Sequence, residues 1–175
     1  MKPVSEFVEL SKADHNRSSF RCGKPELDDF LKNQALRHRK LGVSLTQVLP
    51  ALMPDSHDKS GINAFYTISP SLILRETLPA KMAKKLPQYP VPVSLIAQLG
   101  VHIDMQGSGL GGVTLVECLK YLYGISKSYA AVGVVVDCLD ADARNFYQHY
   151  GFKFLCKHQG KDRLYLPMGT VAQLY

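Results

Sequence analysis

The sequence predicts a single α/β domain, a mixed central sheet flanked by helices, on three observations. Apolar β-type runs alternate with helical periodicities along nearly the whole chain. A glycine-rich turn, Gln106–Gly112, joins one such run to a helix. The 175 residues suit one domain, spanning 1–175, and are enough to bury a core without metals or disulfides. With 46% hydrophobic and 21% charged residues, a disordered or collagen-like chain is excluded.

Pro25 opens the first helix, with Glu26 and Asp28 where the helix dipole favours acids. Leu27, Phe30 and Leu31 recur at helical spacing, and Arg37, His38, Arg39 and Lys40 crowd its end. Val43–Met53 reads as a strand, and the polar stretch Pro54–Gly61 as a hairpin loop. Ile62–Leu74 gives the second strand, with Pro70 as its bend or end. A short basic helix is expected around Ala80–Leu86, between Pro79 and Pro87, followed by a strand at Val93–Val101. The helix after the glycines runs to about Ser126, with Gly111, Gly112, Leu115, Cys118, Leu119 and Leu122 on its packed face. Ala130–Val136 is a strand and Asp140–Tyr150 a helix, and Phe152–Lys157 and Arg163–Leu166 are closing strands.

Several function classes drop out. No 18 apolar residues run together, so no membrane-spanning helix and no membrane partner are expected. Met1–Glu6 lacks the apolar stretch of a signal peptide, which predicts a soluble, cytoplasmic protein. Cys22, Cys118, Cys138 and Cys156 form no C-x-x-C pair, and Cys118 and Cys138 sit among apolar neighbours as buried thiols would. The six histidines show no ligand spacing, so no metal is expected. Lys and Arg outnumber Asp and Glu by 21 to 15, which favours polyanionic partners and also fits an ordinary basic surface.

A strand, a glycine turn and a helix together can hold a diphosphate. The N–H groups of the first helical turn converge there, the dipole adds positive charge, and glycines admit the ligand. Gly107-Ser108-Gly109-Leu110-Gly111-Gly112 formally fits G-x-G-x-x-G, with Asp137 after an apolar strand. Four residues, His102–Met105, intervene before the loop, the acid comes late, and too little chain follows to complete a dinucleotide fold. The competing motif is Gln106-x-x-Gly109-x-Gly111. With Asn145-Phe146-Tyr147-Gln148-His149-Tyr150-Gly151-Phe152 downstream, it resembles the GCN5-related N-acetyltransferases over roughly Ile62–Leu166.

The opening Phe20-Arg21-Cys22-Gly23 … Leu27-Asp28-Asp29-Phe30-Leu31 is similar to that of the acetyltransferase toxins of bacterial toxin–antitoxin modules. So is the Pro-rich stretch Tyr89–Val101. That resemblance implies acetyl-CoA as co-substrate, aminoacyl-tRNA acetylated on its α-amino group, blocked translation, and a ribbon-helix-helix antitoxin. The chain departs from the toxins' R-L-A-V-D run and loop arginine, with Gln98, Gly100, His102 and Ser108 in those places. This weakens the expectation of identical tRNA contacts at the loop and leaves the phosphate-binding backbone untouched.

By the same resemblance, Gln106, Gly107, Ser108, Gly109, Leu110, Gly111 and Gly112 bind the cofactor with Leu99, Gly100, Val101 and Asn145. Tyr147 matches the tyrosine that protonates the departing sulfur. Periodicity alone allows another reading, because Ala143, Phe146, Tyr147 and Tyr150 share one face and all could be core. Tyr150 reads as the packing residue of the pair and His149 as a solvated one. Arg37, Arg39, Lys40, Lys81, Lys84 and Lys85 are candidate tRNA contacts, as are Lys153, Lys157, Lys161 and Arg163. Each cluster could equally be a solvated face. Two further readings stand beside the toxin: an acetyltransferase for a small amine, peptide or protein N-terminus, and a CoA-binding module without turnover. A homodimer is left open.

Overall fold

The computed structural model describes residues 6–55 and 57–175. The expectations falling on Met1–Ser5 and on Ser56, part of the signal-peptide reading and of the hairpin loop, lie outside the described residues. Among the described residues seven strands form a mixed sheet in the order β1-β2-β3-β4-β5-β7-β6. The described residues divide into two compact units, one built from those between 6 and 69 and from 98–118, the other from 70–97 and 119–175.

In the first unit β1 (Val8–Glu9) pairs antiparallel with β2 (Leu45–Pro54), and β2 with β3 (Ser60–Ile73). As the expected span to Leu74 implied, β3 continues through Pro70, which does not end it. The ladder with β2 reaches only to Ile68, so the N–H that proline lacks costs that ladder nothing. The expected first helix is α1 (Pro25–Asp29), a π turn (Phe30–Gln34) and α2 (Ala35–Lys40), with Ala35 N–H donating to Phe30 O. The wider turn brings Phe30, Leu31 and Ala35 to one buried side, where they pack with Phe20, Cys22, Val48, Ile62 and Phe65. Removing side chains such as Leu31 and Phe65 from water contributes about 1.5–3 kcal/mol each.

In the second unit β4 (Val91–Val101) runs parallel to β5 (Gly133–Asp137), with Ser94 opposite Val134. Antiparallel β7 (Lys161–Pro167) and β6 (Lys153–His158) follow. The short helix α3 (Ala80–Ala83) ends before the expected Leu86, and α6 (Met168–Ala172), which the sequence reading missed, follows β7. Ile73, Leu78, Val91, Val93, Val135 and Tyr165 form the apolar cluster here. Helix α4 (Leu110–Ser126), whose residues up to Cys118 belong to the first unit and the rest to the second, buries Leu115, Cys118, Leu119 and Leu122 as its spacing predicts. Among the described residues no helix is long and apolar enough to cross a membrane.

Candidate functional site

β4 ends at Leu99-Gly100-Val101, and Gly100 is there because nothing larger fits. A Cβ on it would stand 2.9 Å from the Phe65 ring and 3.5 Å from that of Phe20. The chain leaves the strand through a 3-10 turn, Ile103–Met105, whose Asp104 N–H donates to the His102 ring at 3.1 Å. Gln106 begins the loop. Its side-chain nitrogen donates to Val101 O at 2.9 Å and to Cys22 O at 2.7 Å. Gly107 and Gly109 hold φ of +79° and +84°, a region that disfavours any side chain, and nothing stands within 4 Å of where their Cβ atoms would be. Ser108 turns inward on the loop, its hydroxyl donating to Met105 O at 2.5 Å.

Helix α4 starts directly from this turn, with Val113 N–H donating to Gly109 O at 3.2 Å. The N–H groups of Leu110, Gly111 and Gly112 precede that first bond and have no intrahelical acceptor. Gly112 is buried and Gly111 half-buried, so these two glycines serve the helix's packing as expected, while Gly107 and Gly109 keep the loop open. An exposed turn, open space beside Gly107 and Gly109, and N–H groups without intrahelical acceptors at a helix start fit a diphosphate.

The sequence reading missed the segment that supports this loop. Ile103 N–H donates to Arg21 O at 2.7 Å, His102 Nε2 stands 3.3 Å from Ser19 O, and the Phe20 ring meets His102 edge-on at 5.8 Å. Two of these contacts are to backbone carbonyls, which carry no side-chain signature in a sequence.

In the second unit Asp140 caps helix α5 (Ala141–His149), accepting from Ala143 N–H at 2.9 Å. Gly151 N–H donates to Gln148 O at 3.0 Å and Phe152 N–H to Tyr147 O at 3.2 Å, with Gly151 at φ +95°. That is a Schellman end, in which the apolar residue after the glycine packs on the helix residue five before it. Phe152 meets Tyr147 at 5.4 Å, and Phe146 meets it at 5.1 Å. Tyr147 is therefore 5% exposed and Tyr150 39% exposed, the reverse of the expectation that Tyr150 packs. The cap decides this, because it places position 147, not 150, under Phe152. Asn145 and His149 are exposed.

The basic candidates separate in the same way. Arg37 and Lys40 are exposed on α2, whereas Arg39 is held by Glu9 at 2.5 Å. Lys81, Lys84 and Lys85 are exposed on and after α3. Arg163 is no surface cation: it is 6% exposed and grips Asp137 with two bonds of 2.7 and 2.9 Å. Lys157 pairs with Asp162, which also takes Arg144 at 2.6 Å. Cys22, Cys118 and Cys138 are buried thiols, and burial raises the first and last to about 11. Among the described residues no group of three or more His, Cys, Asp or Glu could hold a metal ion.

No family model matches the chain. It is 29% identical over 144 residues to a tRNA-acetylating toxin of Mycobacterium tuberculosis, covering 82% of this chain and 81% of that one. Its fold matches AtaT complexed with acetyl-methionyl-tRNAfMet, at a TM-score of 0.85 and 23% identity over 97% of this chain and 98% of that one. It also matches a tyrosine-to-phenylalanine mutant of the toxin AtaT bound to acetyl-CoA and to the C-terminus of the antitoxin AtaR. There the TM-score is 0.79 and the identity 19%, over 97% of this chain and 96% of that one.

Proposed function

We infer that this chain, which is similar in sequence to a tRNA-acetylating toxin and has the fold of the toxin AtaT, is itself an acetyl-CoA-dependent N-acetyltransferase. Its acceptor is the α-amino group of aminoacyl-tRNA, and its effect is to block translation. The observation that carries this reading is the open glycine loop feeding the start of α4, whose unpaired donors suit a diphosphate.

In this reading residues 1–175 act as one catalytic domain, with the acetyl-CoA-binding core at about 62–166. The backbone from Gly107 to Gly112 takes the diphosphate, Leu99–Val101 lines the arm that follows, and Asn145 joins the cofactor's surroundings. When bound, acetyl-CoA supplies the acyl thioester. The acceptor nitrogen bonds to the acyl carbon as the carbon–sulfur bond breaks; the nitrogen sheds a proton and the departing thiolate gains one from the Tyr147 hydroxyl. An α-amine near pKa 8 is partly neutral at cellular pH and needs no dedicated base, whereas a lysine amine near 10.4 would. Arg37, Lys40, Lys81, Lys84 and Lys85 supply cations for the tRNA backbone, and Arg39 does so less because Glu9 already holds it.

The similar structures support the same reading: AtaT is complexed with acetyl-methionyl-tRNAfMet, and its mutant is bound to acetyl-CoA and the C-terminus of the antitoxin AtaR. An antitoxin is the partner this supports, of the ribbon-helix-helix kind by the motif resemblance, and the cytoplasm, where charged tRNA resides, is the compartment.

Cell-free translation with and without acetyl-CoA, followed by mass analysis of the charged tRNA pool, tests it. Inhibition that requires acetyl-CoA and leaves an acetyl group on the aminoacyl nitrogen is expected. Undisturbed translation with CoA released on free amines would make this an acetyltransferase of small amines instead.

A further inference from the structure

Gln106 was expected to touch the cofactor, and its side-chain nitrogen is bonded to two carbonyls of the chain itself. A carboxamide NH2 has two protons. Here one nitrogen serves two carbonyls, Cys22 O at 2.7 Å and Val101 O at 2.9 Å, which commits both. Val101 closes β4 immediately before the loop. Cys22 belongs to the Ser19–Cys22 segment, which also accepts Ile103 N–H on Arg21 O at 2.7 Å. On its far side Cys22 N–H donates to Asp28 Oδ1 of α1 at 2.9 Å, and α1 runs through the π turn into α2, the helix of Arg37 and Lys40.

We propose that Gln106 is a positioning residue, a brace that holds the start of the glycine loop against the segment leading into the basic helix, so that donor loop and acceptor surface are set by one pair of hydrogen bonds. The proposal rests on the acetyltransferase reading for its consequence and on the contacts above for its geometry. It differs from direct recognition, in which the same amide would reach for the diphosphate. A brace sets loop geometry before any ligand arrives and affects both substrates. A direct contact affects acetyl-CoA alone.

The test compares wild type with Gln106→Met, which keeps the length but removes both donors without adding charge, and with Gln106→Glu, which keeps the shape but can only accept. Amide exchange is followed in the ligand-free protein at Ile103 and Cys22. KM and kcat are then measured for acetyl-CoA and for charged tRNA. Both variants should exchange on the order of tenfold faster at these amides, as two lost neutral hydrogen bonds imply. KM should rise for both substrates, with kcat changing less.

Wild-type exchange with a raised KM for acetyl-CoA alone would overturn the brace and return Gln106 to direct contact. Exchange accelerated evenly throughout the chain would overturn it too, leaving a general stability effect. A wild-type protein that neither binds acetyl-CoA nor acetylates would instead defeat the enzymatic reading, and the exchange result would still decide the geometry.

Discussion

Gly109 and Gly133 show two opposite reasons for a glycine, and each explains its own region. In the loop, Gly107 and Gly109 have φ of +79° and +84° with nothing within 4 Å of a would-be Cβ. In β5, a Cβ on Gly133 would stand 2.4 Å from the Tyr165 ring and 2.7 Å from Leu166 O. The loop is built around room and unpaired backbone donors, and its glycines are fixed by conformation. The β5 region is closed on itself, and its glycine is fixed by crowding. Tyr147, the proposed acid, belongs to the packed kind of surroundings, between Phe146 and Phe152. The open region should therefore govern binding, and the packed one turnover and stability.

The largest effect should come from separating turnover from binding. Tyr147→Phe keeps the ring and its contacts and removes only the proton donor. Acetyl transfer to charged tRNA should fall by roughly 10²–10⁴, the usual worth of a general acid, while the Kd for acetyl-CoA stays within about twofold. Stability should change by no more than about 1–2 kcal/mol, the range for one lost buried hydroxyl interaction. Single-turnover kinetics with calorimetric titration of acetyl-CoA checks both halves. Transfer at the wild-type rate would leave Tyr147 as core.

Next in size are the two glycines themselves. Gly133→Ala forces a methyl against a backbone carbonyl, which cannot move aside as a side-chain tip can. About 1–3 kcal/mol of stability should be lost, at the upper end of that range. Gly109→Ala meets no atom and suffers only the left-handed backbone, about 1–2 kcal/mol, but should weaken acetyl-CoA binding. Denaturant melts and a binding isotherm on both variants decide it. If Gly133→Ala weakened acetyl-CoA binding more than Gly109→Ala, the division between an open and a closed region would collapse.

Both motif regions were legible in the sequence because their physics is local. A glycine turn feeding a helix, and an aromatic helix ended by Gly151-Phe152, can be read from neighbouring residues alone. Which tyrosine is buried was not legible, since Phe146, Tyr147 and Tyr150 satisfy one helical period. The register is set by the hydrogen bonds around Gly151. The π turn was hidden for a related reason: Leu27, Leu31 and Ala35 keep ordinary i, i+4 spacing, and no residue type marks where the Ala35 N–H reaches Phe30 O, five residues back, instead of four. Two-residue β1 has no pattern of its own and exists through its pairing with Val48 and Gln47. Arg163 looked like surface charge because its partner, Asp137, is 26 residues away.

The smallest effect lies in the first unit and depends on pH. His15 is 5% exposed, and Ser11 N–H donates to its Nδ1 at 2.9 Å, which requires that nitrogen to be unprotonated. Burial holds the imidazole below its usual range, and the neighbouring Asp14 charge opposes that shift without reversing it. A base whose folded pKa is depressed is charged more readily in the unfolded chain. Its contribution is therefore fully present above about pH 6.5, the unfolded value, and is lost as pH falls below it. His15→Gln keeps an acceptor for Ser11 N–H and removes the titration. Stability measured from pH 7.5 to 5 should fall more steeply in wild type than in this variant, and the two curves should run parallel above pH 7. Parallel curves across the whole range would mean that His15 is no more reluctant to charge in the fold than out of it.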